Sequence, residues 1–262
     1  MRFASLGSGS QGNALIVEAG ATRIMLDCGF GVRDTVARLE RIGLAPADIS
    51  AIIVTHEHGD HADGVFPFAR RHGVPVCMTH GTLVALQDGA PRDADADIAS
   101  GVEVRIVDSH TVFSIGDVQI RPFTVPHDAR EPVQYVLSDG TKRLGVLTDI
   151  GCSTAHVEAS LSGCDALVLE CNHDLDMLMN GSYPPSLKQR VAGRFGHLDN
   201  SASAAILAAL DRANLKHLIA AHLSQKNNTP ALARAALAVV MGCNADEVSV
   251  ASQEEGFDWR DL

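Results

Sequence analysis

The sequence predicts an α/β protein built as an αββα four-layer sandwich, and three observations carry that prediction. The first and last thirds alternate strands with helices, the centre is strand-rich, and no linker, repeat or biased segment divides the chain. Two sheets packed together, with helices on both outer faces, satisfy that order. With 262 residues, 46% of them apolar and only 4% aromatic, the chain can bury a sizeable aliphatic core. A single domain spanning 1–262, without an inserted nucleic-acid clamp domain, is expected.

In chain order, strands are expected at 2–6, 14–18 and 23–26, a helix at 33–42, an apolar strand at 51–54 and a helix at 62–71. Strands at 102–107, 118–123, 133–137 and 143–147 follow, separated by turn signals at 115–117 and 138–140, and read as an antiparallel meander. The last third places strands at 166–170, 217–221 and 247–251 between helices at 186–194, 201–213 and 230–240, with Asp199 and Ser201 as caps.

The formal net charge of −11 argues against broad attraction to nucleic acid or to an anionic membrane. It leaves room for a local cationic site, because two bound divalent ions would add about four positive charges at one mouth. Residues 1–10 carry no apolar leader and no apolar run is long enough to span a bilayer, so a cytoplasmic protein without a membrane partner is expected. The six cysteines form no C-x-x-C pair, and most of them read as small buried hydrophobes.

Chemistry concentrates in Thr55-His56-Glu57-His58-Gly59-Asp60-His61, which lies between an apolar strand and a helix, at a strand's carboxyl end where active-site residues are often placed. His56 and His58 can converge on one ion while Asp60 and His61 face a second; imidazole and carboxylate suit zinc, manganese or iron. The alternative, a solvated turn rich in histidine, does not account for four potential ligands in six residues. His127, Asp149 and His222 each terminate another apolar strand. Singly, each reads as a cap or an edge residue; together they supply a third imidazole for each ion and a bridging carboxylate.

With its H-x-H-x-D-H motif at 56–61, the chain resembles the metallo-β-lactamase superfamily. That resemblance implies one metal on His56, His58 and His127 and a second on Asp60, His61 and His222. It also makes Asp149 the bridge and Asp27 a support behind the ligands. LGSGSQGNA at 6–14, HDA at 127–129, NGSYPP at 180–185, GHLDN at 196–200 and HLSQKNN at 222–228 resemble a narrower branch, the YycJ/WalJ-like proteins regarded as DNA-processing exonucleases. The branch usually has Ser where Asp199 stands here.

The expected activity is therefore that of a metal-dependent hydrolase, a phosphodiesterase or exonuclease acting on DNA, single-stranded or at an end. Two divalent ions, zinc by default, would supply the hydroxide nucleophile. Asp60 is expected to be indispensable, and His197 or His173 to act as general acid. Gly7 to Gly12 matches G-x-G-x-x-G, but a strand follows instead of a helix, so the dinucleotide reading fails. Ser8, Ser10 and Asn13 are instead candidates to meet a phosphate, weighed evenly against a tight turn.

Lys188, Arg190 and Arg194 are candidate phosphate contacts against the alternative of a solvated helix face, and Tyr183 a candidate base platform against that of a rigid turn. Hydrolysis of a small ester, lactone or thioester is the alternative within enzymes. A non-hydrolytic di-iron redox or binding protein is the alternative outside them, and the complete motif through His61 argues against it.

Overall fold

Three clusters of buried side chains order the layers of the protein, whose computed structural model describes residues 1–89 and 98–262. The strands are β1 (Arg2–Gly7), β2 (Ala14–Ala19), β3 (Thr22–Leu26), β4 (Ala51–Ile53), β5 (Val76–Met78), β6 (Val104–Ile106), β7 (Phe113–Ile115), β8 (Val118–Thr124), β9 (Val133–Ser138), β10 (Arg143–Leu147), β11 (Ala166–Glu170), β12 (His217–Ala221), β13 (Ser249–Val250) and β14 (Phe257–Asp261). Among the described residues one seven-stranded sheet has the order β14-β1-β2-β3-β4-β5-β6 and the other β13-β12-β11-β10-β9-β8-β7.

Strand alternation assigns the faces. Leu15, Val17, Ile24 and Ile53 of the first sheet meet Ile120, Tyr135, Val146 and Val168 of the second in the central cluster. Their neighbours Ile16, Met25 and Ile52 turn outward, onto Leu39 of α1 (Val32–Arg41) and Phe66 and Phe68, which lie past the single turn α2 (Gly59–Ala62) in α3 (Val65–His72). Leu83 and Leu86 of α4 (His80–Gly89) join that cluster.

On the far side, Val136, Leu147 and Leu167 pack against Val157 and Leu161 of α5 (Ala155–Leu161). The short helices α6 (Leu175–Asn180) and α7 (Pro185–Val191) lie in the connection to α8 (Asn200–Ala209), whose Ile206 and Leu207 share this cluster with Leu237 of α9 (Pro230–Met241). Helix, sheet, sheet, helix is the layer order. No helix among the described residues is long and apolar enough to cross a membrane.

The expected meander is real for β8 to β10, which pair antiparallel in sequence order, and β7, a strand not expected from the sequence, adds to β8 in the same way. Its first expected strand, 102–107, belongs elsewhere: β6 pairs parallel with β5 in the first sheet. The misreading has two sources. β5 is three residues long, too short to show a period, and α4 makes β5 to β6 a crossover unit instead of a hairpin. The helix expected at 201–213 stops at Ala209, beyond which Asp211 Oδ1 accepts the Ala213 amide, a local bond that competes with helix. The helix expected at 186–194 stops at Val191, which leaves Arg194 outside it. The strand expected at 247–251 is only Ser249–Val250, because residues up to Glu247 form a 3₁₀ turn.

Candidate metal centre and its cavity

Parallel pairing collects strand ends. β3 and β4 run together, β10, β11 and β12 run together, and β8 shares their direction because two antiparallel pairings separate it from β10. Asp27 follows β3, Thr55 and His56 follow β4, His127 follows β8, Asp149 follows β10, Glu170 ends β11 and His222 follows β12. Asp27, Asp149 and His222 are the non-glycine residues with positive φ among those described, at 61°, 56° and 55°. A left-handed residue with a Cβ costs about 1–3 kcal/mol, and such strain concentrates at functional sites.

Hydrogen bonds hold these bends. The Asp27 carboxylate accepts the Thr55 amide at 2.8 Å and the Thr55 hydroxyl at 2.9 Å, and His222 N donates to Ser8 Oγ at 2.9 Å. They also select ring nitrogens. His61 Nδ1 donates to Asp27 Oδ2 at 2.8 Å, His127 Nδ1 to Gly196 O at 3.1 Å, and His56 Nδ1 lies 2.9 Å from the Thr55 hydroxyl that Asp27 already holds. In the neutral ring each Nε2 then carries the lone pair, the arrangement that fixes a metal-ligating imidazole.

Those nitrogens converge. His56, His58 and His127 each offer a donor atom within 4.8 Å of the others, as do Asp60, His61 and His222, and also His56, His61 and Asp149. Asp149 sits among them, 2.9 Å from His61 Nε2, 3.6 Å from His222 Nδ1 and 4.0 Å from His127 Nε2. His127 Nε2 faces His58 Nδ1 at 3.2 Å, and the buried His56 Nε2 has no hydrogen-bond partner among the described residues. One orphaned imidazole nitrogen, with further imidazole nitrogens crowded around it and a buried carboxylate, fits divalent cations. A fourth grouping of Asp149, Glu170, His197 and His222 adjoins them.

Charge within the cluster is correspondingly displaced. Burial drives His56 well below the ordinary histidine range. Burial opposes the charged form of His61 and His222 too, yet Asp149 and Asp60 hold His61 well above that range and raise His222 to about 10. Against burial, His61 and His222 lower Asp60 to about 2, and His197 with His222 lowers Glu170 to about 2.

A cavity of about 360 Å³ opens over Asp60, Asp149 and His222, with His58 and His197 in its wall. Of the residues expected to touch substrate, Ser10, Arg190 and Tyr183 line it. Ser8 and Asn13 are buried behind it: Ser8 carries the His222 amide, and Asn13 Nδ2 lies 3.3 Å from Asp60 Oδ2 and 3.1 Å from His61 Nε2. Lys188 donates to Met179 O, Arg190 pairs with Asp128 at 2.6 Å, and Arg194 faces a different groove. His173 is buried with neither ring nitrogen bonded among the described residues, and burial lowers its basicity.

Sequence reasoning missed Glu170. Its Oε1 lies 2.7 Å from His197 Nδ1 and 3.4 Å from His222 Nδ1, while Oε2 accepts the amides of Ile150 and Leu198. A carboxylate ending the apolar run 166–169 was the available signal, the same one that marks Asp27 and Asp149. Asn172 and Asn227, also missed, line the cavity, and Asn172 Nδ2 donates to His222 O at 3.1 Å.

With that geometry in view, residues 22–223 match the family model described as the beta-lactamase superfamily domain. The chain belongs to the metallo-β-lactamase superfamily and is a hydrolase of that superfamily. Within it, the chain is similar to exodeoxyribonuclease YycJ of Bacillus anthracis, at 33% identity over 92% of this chain and 89% of that protein. Exodeoxyribonuclease WalJ of Streptococcus pneumoniae serotype 2 strain D39 is 30% identical over 88% and 85%. The solved metallo-β-lactamase fold protein YhfI from Bacillus subtilis superposes with a TM-score of 0.73, covering 99% of this chain and 98% of that one. Its 15% identity makes that a likeness of fold alone.

Proposed function

We propose that this protein is a metal-dependent phosphodiesterase that removes nucleotides from an end of DNA. The observation that carries the metal chemistry is the set of imidazole nitrogens converging around Asp149, with His56 Nε2 left without a protein partner among the described residues. Two relatives that align along most of their length and are named exodeoxyribonucleases support the substrate class. His56, His58 and His127 would hold one ion and Asp60, His61 and His222 a second, with Asp149 between them; zinc is the default for this donor set. When bound, two such ions make a water acidic enough to attack near neutral pH and offset the charge that develops on phosphoryl oxygens.

The rest falls to the chain itself. His197 lines the cavity, and despite its burial Glu170 and Asp149 hold its basicity above the ordinary histidine value. With Nδ1 engaged by Glu170, His197 has Nε2 available to protonate the leaving oxygen, which favours it over His173 as general acid. Asp27 and Thr55 keep His61 and His56 in the required tautomers.

The test is hydrolysis of bis(p-nitrophenyl) phosphate and of 5′- or 3′-end-labelled single-stranded DNA with manganese or zinc, using His58→Ala to control for contaminating nuclease. Chelator-sensitive release of mononucleotides from one end, lost in His58→Ala, is expected. Full metal occupancy without phosphodiester cleavage would sink the proposal and direct assays to esters, lactones and thioesters.

A further inference from the structure

Beyond the reaction cavity, the loop that carries His197 has a second face. His197 N donates to Val191 O and Gly196 N to Gly193 O, so the chain doubles back after α7 and sends Arg194 and Phe195 to the side away from His197. There they border a groove of about 650 Å³ with His110, Thr154 and His156. The loop is firmly seated: Asp128 N donates to Phe195 O at 2.9 Å, and a Cβ on Gly151 would lie 2.3 Å from Arg194 O. Asp128 and Gly151 stand one and two residues beyond His127 and Asp149, so the groove adjoins the metal centre across a short, tightly packed wall.

Three properties of the groove are unexpected for ordinary surface. Phe195 is 56% exposed, and its ring stacks on no other aromatic group or cation among the described residues. Arg194 is exposed and makes no ion pair or side-chain hydrogen bond there. Among the described residues the lining contains no carboxylate, although acidic residues outnumber basic ones by 32 to 21 in the whole chain. A polyanion repelled by most of this surface meets an unpaired guanidinium and an exposed π-face here.

We propose that this groove is the track for the single-stranded DNA that continues away from the reacting end, with a base stacked on Phe195 and a phosphate on Arg194. The proposal rests on the phosphodiesterase reading and adds where the body of the substrate lies. Base stacking on an aromatic side chain tolerates any base because each has a π-face, and each neutralised phosphate of a single strand adds about 0.7 to the salt slope.

Kinetics on a dinucleotide and a decanucleotide test it. Phe195→Ala should raise KM for the decanucleotide about 5- to 20-fold with kcat little changed, a loss at least about fivefold greater than on the dinucleotide. Phe195→Trp should restore the longer substrate, and Arg194→Gln should lower the slope of log Kd against log salt by about 0.7. Both residues are exposed, so folding is not at stake. Equal losses on both lengths, or none on either, would overturn the groove. Titrating the same proteins with fluorescein-labelled decathymidylate separates the failures. No cleavage by the parent, but weaker binding in Phe195→Ala, keeps the groove and sinks the phosphodiesterase. Cleavage with unaltered binding sinks the groove alone, and no binding by the parent sinks both.

Discussion

Glu170 is a fully buried carboxylate with no metal-motif signature, yet two imidazoles of the centre depend on it. Its replacement by Gln keeps the volume and removes the charge. Glu170→Gln is expected to lower kcat on a phosphodiester by about 10²-fold or more, with metal content by mass spectrometry unchanged. The pH–rate profile gives the sharper reading. Glu170 raises the basicity of His197, so without it a general acid at His197 loses its proton earlier and the alkaline limb moves to lower pH. An unshifted limb would reduce Glu170 to a structural support of the Ile150 and Leu198 amides.

At the scale of elements, the centre is a product of turns, and turns depend on close backbone approach. The bend after β3 lies directly against the metal-motif turn: Cys28 N donates to His61 O, Asn13 N to Asp60 O, and Gly29 N to Asn13 O. A Cβ on Gly29 would sit 1.8 Å from Asp60 O, backbone that cannot step aside without moving the Asp60 carboxylate, a candidate ligand. Gly29→Ala is therefore expected to cost about 1–3 kcal/mol in urea denaturation and to weaken metal binding by about tenfold or more. Parental metal affinity in that variant would show that the Asp60 turn is not held from behind by this bend.

For the whole molecule, the two sheets act as one support for the site. Tyr135 of β9 donates its hydroxyl to Val54 O, and Val133 N donates to Thr55 O, so the second sheet grips the chain just before His56. The buried charges make stability depend on pH in a way metal should alter. In metal-free protein the raised basicity of His222 contributes stability in full below its ordinary value of about 6.5, and that contribution is lost as pH rises towards about 10. Asp60 and Glu170 behave oppositely: their contribution is present above about 4 and is lost as pH falls to about 2. The urea midpoint of chelated protein should fall between pH 7 and 9, while that of metal-loaded protein, whose imidazoles are neutral ligands, should fall less. A midpoint of the chelated protein that rises over that interval would contradict this.

What the sequence by itself determined was the layer order and the place where donor side chains cluster. Alternation along β2, β3 and β9 and helical periodicity in α1 and α9 are local patterns, and four donors in six residues at 56–61 form a local constellation. His127, Asp149 and His222 were legible because each stops an apolar strand. Other features lie between segments distant in the chain, where local pattern is silent. β5 and β14 are short or mostly exposed strands recognised only by their partners. Glu170 gains its place from His197 and His222, 27 and 52 residues away. Only the tertiary structure turned Ser8 and Asn13 inward as props and set Arg190 in the cavity wall and Arg194 in the groove. The physical reason is that a side chain's neighbours, and hence its role, are decided by which strand ends the sheets bring together.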